Sequence, residues 1–187
     1  DFYVVFAVTD PTAGHSRGIS AFVVERDRPG FSIGKLERKM GIKGSPTGQP
    51  IFDAVRVPEE NLIGELHKGM HVALGTLDYS RLGVAAQALG IAQGAIDYAA
   101  AYARERRQFG KAINEFQAIQ FKLADMETQT AAGRELLYRA CAKADRGEPD
   151  RGKYSAMAKL YNSDNAMRVT VEAVQILGGY GYVSEYP

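Results

Sequence analysis

One cysteine, Cys141, is all that this chain of 187 residues contains, so no disulfide can close within it, and a reducing compartment fits it best. Neither sign of charge is in excess. With 23 basic and 22 acidic side chains the net charge is +1, which leaves no electrostatic footprint for a nucleic acid or an anionic bilayer. No apolar run reaches the roughly 18 residues of a membrane span. Internal repeats and low-complexity tracts are missing too. The opening DFYVVFAVTD has no initiator Met, no basic leader and no small-residue cleavage site. It begins inside a strand-like run and the sequence stops at Tyr186-Pro187, so both ends read as cuts through a longer protein. What is present is the composition of an ordinary globular chain, 45% hydrophobic and 24% charged, long enough for one large domain or two small ones.

Residues 1–64 read as β. Phe2 to Val8, Ile19 to Glu25, Phe31 to Lys35 and Ile51 to Val57 are rich in aromatic and β-branched side chains, with Gly, Pro and Ser clusters between them. Residues 65–187 read as helix. Val84, Ala88, Ile91, Ala95, Tyr98 and Tyr102 recur at spacings of three and four and predict one buried stripe, with the helix ending near Phe109-Gly110. A second stripe runs through Phe116, Ile119, Leu123, Met126, Thr130, Gly133, Leu137 and Ala140 and closes at Gly147-Glu148-Pro149. A third passes through Ala156, Leu160, Ser163, Met167, Thr170, Val174 and Leu177 to Gly178-Gly179. The expected fold class is α+β: a β domain, then an antiparallel helical bundle.

Four local motifs invite a functional reading, and each has a plainer one. His67 and His71 lie four apart, but with no Glu-x-x-His beside them they read as a solvated first helical turn, and no metal site is expected. Gly178-Gly179-Tyr180-Gly181 follows a helix rather than a strand, so it is no Rossmann loop. It reads either as a helix cap or as backbone that a flat or phosphorylated ligand can touch. Asp78-Tyr79-Ser80-Arg81 sets a charged pair in an apolar segment, where Arg81 needs either a carboxylate partner or a bound anion. Arg104 to Gly110 offers cations at a helix C-terminus, favoured by the macrodipole and equally suited to a phosphate.

Taken in order, six segments carry a resemblance to the acyl-CoA dehydrogenase family across essentially the whole chain. They are Gly18–Glu25, Lys39–Ser45, Val57–Gly64, Leu77–Arg81, Arg106–Lys111 and Gln175–Tyr182. The resemblance implies a middle β-barrel-like domain followed by a C-terminal helical bundle, in a homotetramer that holds FAD non-covalently and dehydrogenates an acyl-CoA between its α and β carbons. It places Arg106, Gln108, Phe109 and Gln117, with Gln175, Ile176, Leu177, Gly178 and Gly179, against FAD across a subunit interface. It places Asp78, Tyr79, Ser80 and Arg81 against the acyl-CoA. Electrons would pass to an electron-transferring flavoprotein, or to oxygen if the protein were an oxidase; a flavin-holding member without activity is the non-enzymatic alternative.

Two departures bear on catalysis. The family's glutamate base usually lies in a Tyr-Glu-Gly-Thr motif downstream of a Glu-Tyr-Pro segment, and this chain stops at Glu185-Tyr186-Pro187. Some relatives carry the base immediately before the Arg81 position, where Ser80 stands here. No catalytic residue is therefore assigned within the chain, Glu185 included, and residues 1–187 alone are expected to be inactive. The likeness and Ser80 point to the short- or branched-chain type. A bacterial cytoplasm is expected, a mitochondrial matrix being the alternative.

Overall fold

The computed structural model describes residues 1–186, without the side chains of His15 and Ser16. The chain packs as two compact units, one spanning Asp1–Gly75 and the other running from Thr76 onward.

In the first unit β1 (Phe2–Val8) pairs antiparallel with β2 (Ile19–Glu25), Phe2 opposite Glu25 and Val8 opposite Ile19. A short β5 (Leu62–Ile63) adds to the other edge of β2, and β3 (Phe31–Leu36) pairs separately with β4 (Gly48–Phe52). These strands do not close into a barrel among the described residues. The central strand β2 supplies the unit's buried Ser20, Ala21 and Val24.

The fourth strand corrects the sequence reading of Ile51 to Val57. It starts at Gly48 and stops at Phe52, because Asp53 donates its N–H to the Gly30 carbonyl and Ala54 then turns through a positive φ of 48°. The histidine pair is corrected too. His67 lies before the first helix with φ 62°, and its Nδ1 is 2.9 Å from Thr9 Oγ1, so it does not share a helical turn with His71.

Glu25 is held by Arg28 through Nε at 2.6 Å and Nη2 at 3.1 Å, and it accepts from Asn61 Nδ2. The Arg28 hydrogen bonds, then a backbone N–H and Asn61, lower its carboxyl from 4.5 to about 2. A depressed carboxyl contributes stability above its unfolded value and loses it as pH falls through the folded one. Glu25→Gln is therefore expected to flatten the acid limb of the unfolding curve between pH 4.5 and about 2. Acid titrations of variant and wild type with identical limbs there would refute this.

The second unit is a three-helix bundle. Helix α1 (Gly69–Glu105) begins within the first unit, and its 37 residues extend about 55 Å at 1.5 Å per residue. A two-stranded hairpin, β6 (Arg107–Gln108) and β7 (Lys111–Ala112), follows it, with Phe109 at φ 51° and Gly110 at φ 84° as the turn. Helices α2 (Gln117–Asp145) and α3 (Arg151–Leu177) complete the bundle. No helix among the described residues is long and apolar enough to cross a membrane.

The α2 stripe packs as its spacing predicts, burying Met126, Thr130, Gly133, Leu137 and Ala140. The other two stripes need correction. On α1 the buried residues are Ala85, Ala88, Leu89, Ala92, Ile96, Ala99 and Ala103, while Val84, Ile91 and Tyr98 stay exposed. On α3 they are Ser155, Ala158, Asn162, Asn165, Ala166, Val169, Ala173, Ile176 and Leu177, while Leu160, Met167 and Val174 stay exposed. Small side chains let helix backbones approach, so the alanine faces turn inward and the larger apolar residues turn outward.

Candidate functional site

Helix α1 ends where its hairpin begins, and the backbone of Arg106 is fixed on both sides of that junction. Its N–H donates to the Tyr102 carbonyl at 2.8 Å, and its carbonyl accepts from the Ile113 N–H at 2.9 Å. The hairpin is tied down by aromatics: Phe109 meets Phe116 edge to face at 6.2 Å, and Lys111 Nζ sits 4.3 Å over the Phe116 ring. Phe109 is nevertheless 92% exposed, at a positive φ that a bulky side chain seldom adopts.

The C-terminus of α3 meets the same region. Ile176 and Leu177 point into the bundle core, and Gly178 caps the helix at φ 60°, its N–H donating to the Gln175 and Val174 carbonyls. A β-carbon added at Gly178 or Gly179 would meet nothing within 4 Å. Backbone is thus presented to open space there, which a flat ligand could approach closely.

These two ends line one cavity of about 710 Å³. Arg106, Gln108 and Phe109 contribute from the hairpin side, and Ile176, Leu177, Gly178 and Gly179 from the helix end. Two residues that the resemblance assigned to the same ligand do not line it. Gln117 opens α2 and Gln175 lies one position before the inward-facing Ile176, and both are exposed. The walls also include residues that sequence reasoning did not assign to the site, among them Tyr102, Ile113, Phe116, Ile119 and Tyr180. Burial pushes the Tyr102 phenol up, opposed by the nearby Arg106 charge.

The wall is mostly apolar, yet it carries one cation without a counter-charge. Among the described residues no carboxylate pairs with Arg106 and no acceptor bonds its guanidinium. A half-buried, unpaired guanidinium beside apolar walls and two glycines fits a ligand that joins planar rings to a phosphate, and FAD is of that chemistry.

Asp78, Tyr79, Ser80 and Arg81 lie elsewhere, near the other end of α1. The ion-pair partner that Arg81 requires is Asp78, one helical turn away, with Nη1 to Oδ1 at 3.2 Å. Helix α3 fixes Asp78 in turn, since Ser155 Oγ donates to the Asp78 carbonyl and Gly152 lies against its carboxylate. Tyr79 and Ser80 are exposed. Along the axis, Arg81 and Arg106 are about 37 Å apart at 1.5 Å per residue, so one copy of the bundle does not bring the two predicted groups together.

Comparison with known proteins bears on the family of the chain. The family model described as acyl-CoA dehydrogenase, middle domain, matches residues 1–55, and the C-terminal domain model of the same family matches residues 67–187. The probable acyl-CoA dehydrogenase fadE25 of Mycobacterium leprae is 53% identical over 186 residues, covering 100% of this chain and 48% of that protein. The structure of butyryl-CoA dehydrogenase from Megasphaera elsdenii superposes with a TM-score of 0.97 at 53% identity, over 100% of this chain and 48% of that one. A chain from the structural study of the electron transferring flavoprotein of Acidaminococcus fermentans and its flavin-based electron bifurcation superposes at 0.96 and 52% identity, over 100% of this chain and 49% of that one. The chain therefore spans about half the length of the curated relatives it matches, and across its middle and C-terminal domains it belongs to the acyl-CoA dehydrogenase family.

Proposed function

We propose that the intact protein carrying this chain is an FAD-dependent acyl-CoA dehydrogenase of the short- or branched-chain type, converting an acyl-CoA thioester to its trans-2-enoyl-CoA. The observation that carries this reading is the single cavity gathering Arg106, Gln108 and Phe109 with Ile176 to Gly179, its one cation unpaired. Arg106 would hold the pyrophosphate through its paired N–H donors, and the Gly178-Gly179 backbone would let the adenosine end lie close. Bound flavin supplies the acceptor for the hydride that leaves the β-carbon.

The chain's own part in the reaction is to bind and to exclude water. Asp78, Tyr79, Ser80 and Arg81 would receive the acyl-CoA, with the Arg81–Asp78 pair keeping the guanidinium in place. Because about 37 Å of helix separates that segment from Arg106, we assign the two to different active sites of a homotetramer, the exposed Phe109 reaching into a neighbour. The base that takes the α-proton is assigned outside residues 1–187, since Ser80 stands where some relatives carry it. Electron-transferring flavoprotein is the proposed acceptor and the bacterial cytoplasm the proposed compartment, the similar proteins described above being bacterial.

Anaerobic titration of the intact protein with acyl-CoAs from C4 to C16 tests this reading. Loss of flavin absorbance with a short-chain optimum is the expected result. A protein that holds flavin but never bleaches would be a non-catalytic member, and one that bleaches and yields hydrogen peroxide in air would be an oxidase.

A further inference from the structure

Among the described residues Arg106 is the one cation on the cavity wall, and it has no carboxylate or hydrogen-bonding partner there; a long side chain in that situation would ordinarily sample many rotamers. Here its Cζ lies 5.1 Å from the ring centroid of Tyr180. Tyr180 sits in the short 3-10 turn Gly178–Gly181, and its own ring is braced by two others: Tyr186 at 5.0 Å and Tyr102 at 6.4 Å. Tyr102 and Tyr186 also meet, edge to face, at 6.2 Å and 90°. Tyr102, Arg106 and Tyr180 line both the main cavity and a smaller one of about 350 Å³ that Tyr186 also lines. One ring therefore faces the guanidinium, and two others brace that ring.

We propose that Tyr180, seated by Tyr102 and Tyr186, is a positioning residue that holds Arg106 by its ring face and presents the free N–H fork to a diphosphate in the main cavity. The inference rests on the cofactor reading of that cavity and adds a residue to it. A ring face is suited to the task because it attracts a cation without using any of its N–H donors. A carboxylate in the same place would fix the guanidinium but would also occupy the fork and repel the incoming anion. The tyrosine hydroxyl is not needed for this, so phenylalanine should serve as well.

The test measures binding to the intact protein stripped of flavin, with FAD and inorganic pyrophosphate as separate probes. Tyr180→Leu is expected to weaken both by about three- to tenfold, the range of a partly desolvated cation–π contact. Tyr180→Phe should bind as wild type does. In an Arg106→Gln background Tyr180→Leu should have no further effect, which a general loss of structure would not reproduce. Equal losses in the leucine and phenylalanine variants would overturn the proposal, as would an undiminished loss without Arg106, or a wild-type protein that does not bind pyrophosphate. Pyrophosphate binding with the expected variant pattern but no FAD binding would instead sustain the positioning role and remove the flavin reading.

Discussion

A Gly133→Val variant is expected to lose about 3 kcal/mol of stability, near the upper end of what overpacking costs. Gly133 is buried on α2 where α3 crosses it, and an added β-carbon there would stand 2.3 Å from Asn162 Oδ1 and 3.3 Å from Tyr161 Cδ1. Asn162 cannot swing aside cheaply. Its Nδ2 donates to the Gly133 carbonyl at 3.1 Å and to the Ala158 carbonyl at 2.9 Å, both buried, so moving the amide would strand acceptors away from water. Leaving glycine also regains helix propensity, but only some tenths of a kcal/mol for valine, so crowding wins. Denaturant unfolding of the intact protein checks this through a lowered midpoint at unchanged slope. Pairing Gly133→Ala with Asn162→Ala isolates the cause, because removing the amide should recover part of the alanine variant's loss. Full additivity would show that the contact is not what makes glycine necessary there.

The second large effect concerns the cofactor. Arg106→Gln should weaken FAD binding by about 10- to 100-fold, the equivalent of one charge-assisted hydrogen-bond pair. The side chain makes no ion pair in the described structure, so the substitution breaks only the contact with the Tyr180 ring, and folding stability should fall by no more than about 1 kcal/mol. Salt should separate the variants as well. Wild-type affinity should fall as ionic strength rises, and the glutamine variant should show a shallower dependence. Flavin fluorescence titration reads both quantities. Equal affinity and equal salt dependence would place the diphosphate elsewhere on the protein.

How much could be read without coordinates differs from element to element. The α2 stripe was legible because large and small buried residues, from Met126 to Gly133 to Ala140, share one face. On α1 size misled. Val84, Ile91 and Tyr98 form a regular apolar series, yet the inward face belongs to Ala85, Ala92 and Ala99. Hydrophobic periodicity reports that a helix has apolar faces, and backbone proximity decides which one a bundle takes. At the cavity, local pattern leaves the arginines open between helix-end cations and a phosphate site, and only the ordered set of family segments joins Arg106 to Gly178. In the sequence Tyr180 is only one residue of a glycine-rich turn. Its place over Arg106 depends on α3 ending beside the end of α1, which no local pattern encodes.

Helix α1 carries Arg81 near one end and hands the chain to Arg106 at the other, with uninterrupted helix between them. It therefore works as a ruler. Substitutions on its outer face leave the graduations alone, but inserting or deleting one residue between Ala85 and Ala103 would shift the far end by about 1.5 Å and turn it by about 100°. The alanine face would no longer meet its partners, and Arg106 would leave its cavity. The helix is thus open in composition on its outer face and closed in length.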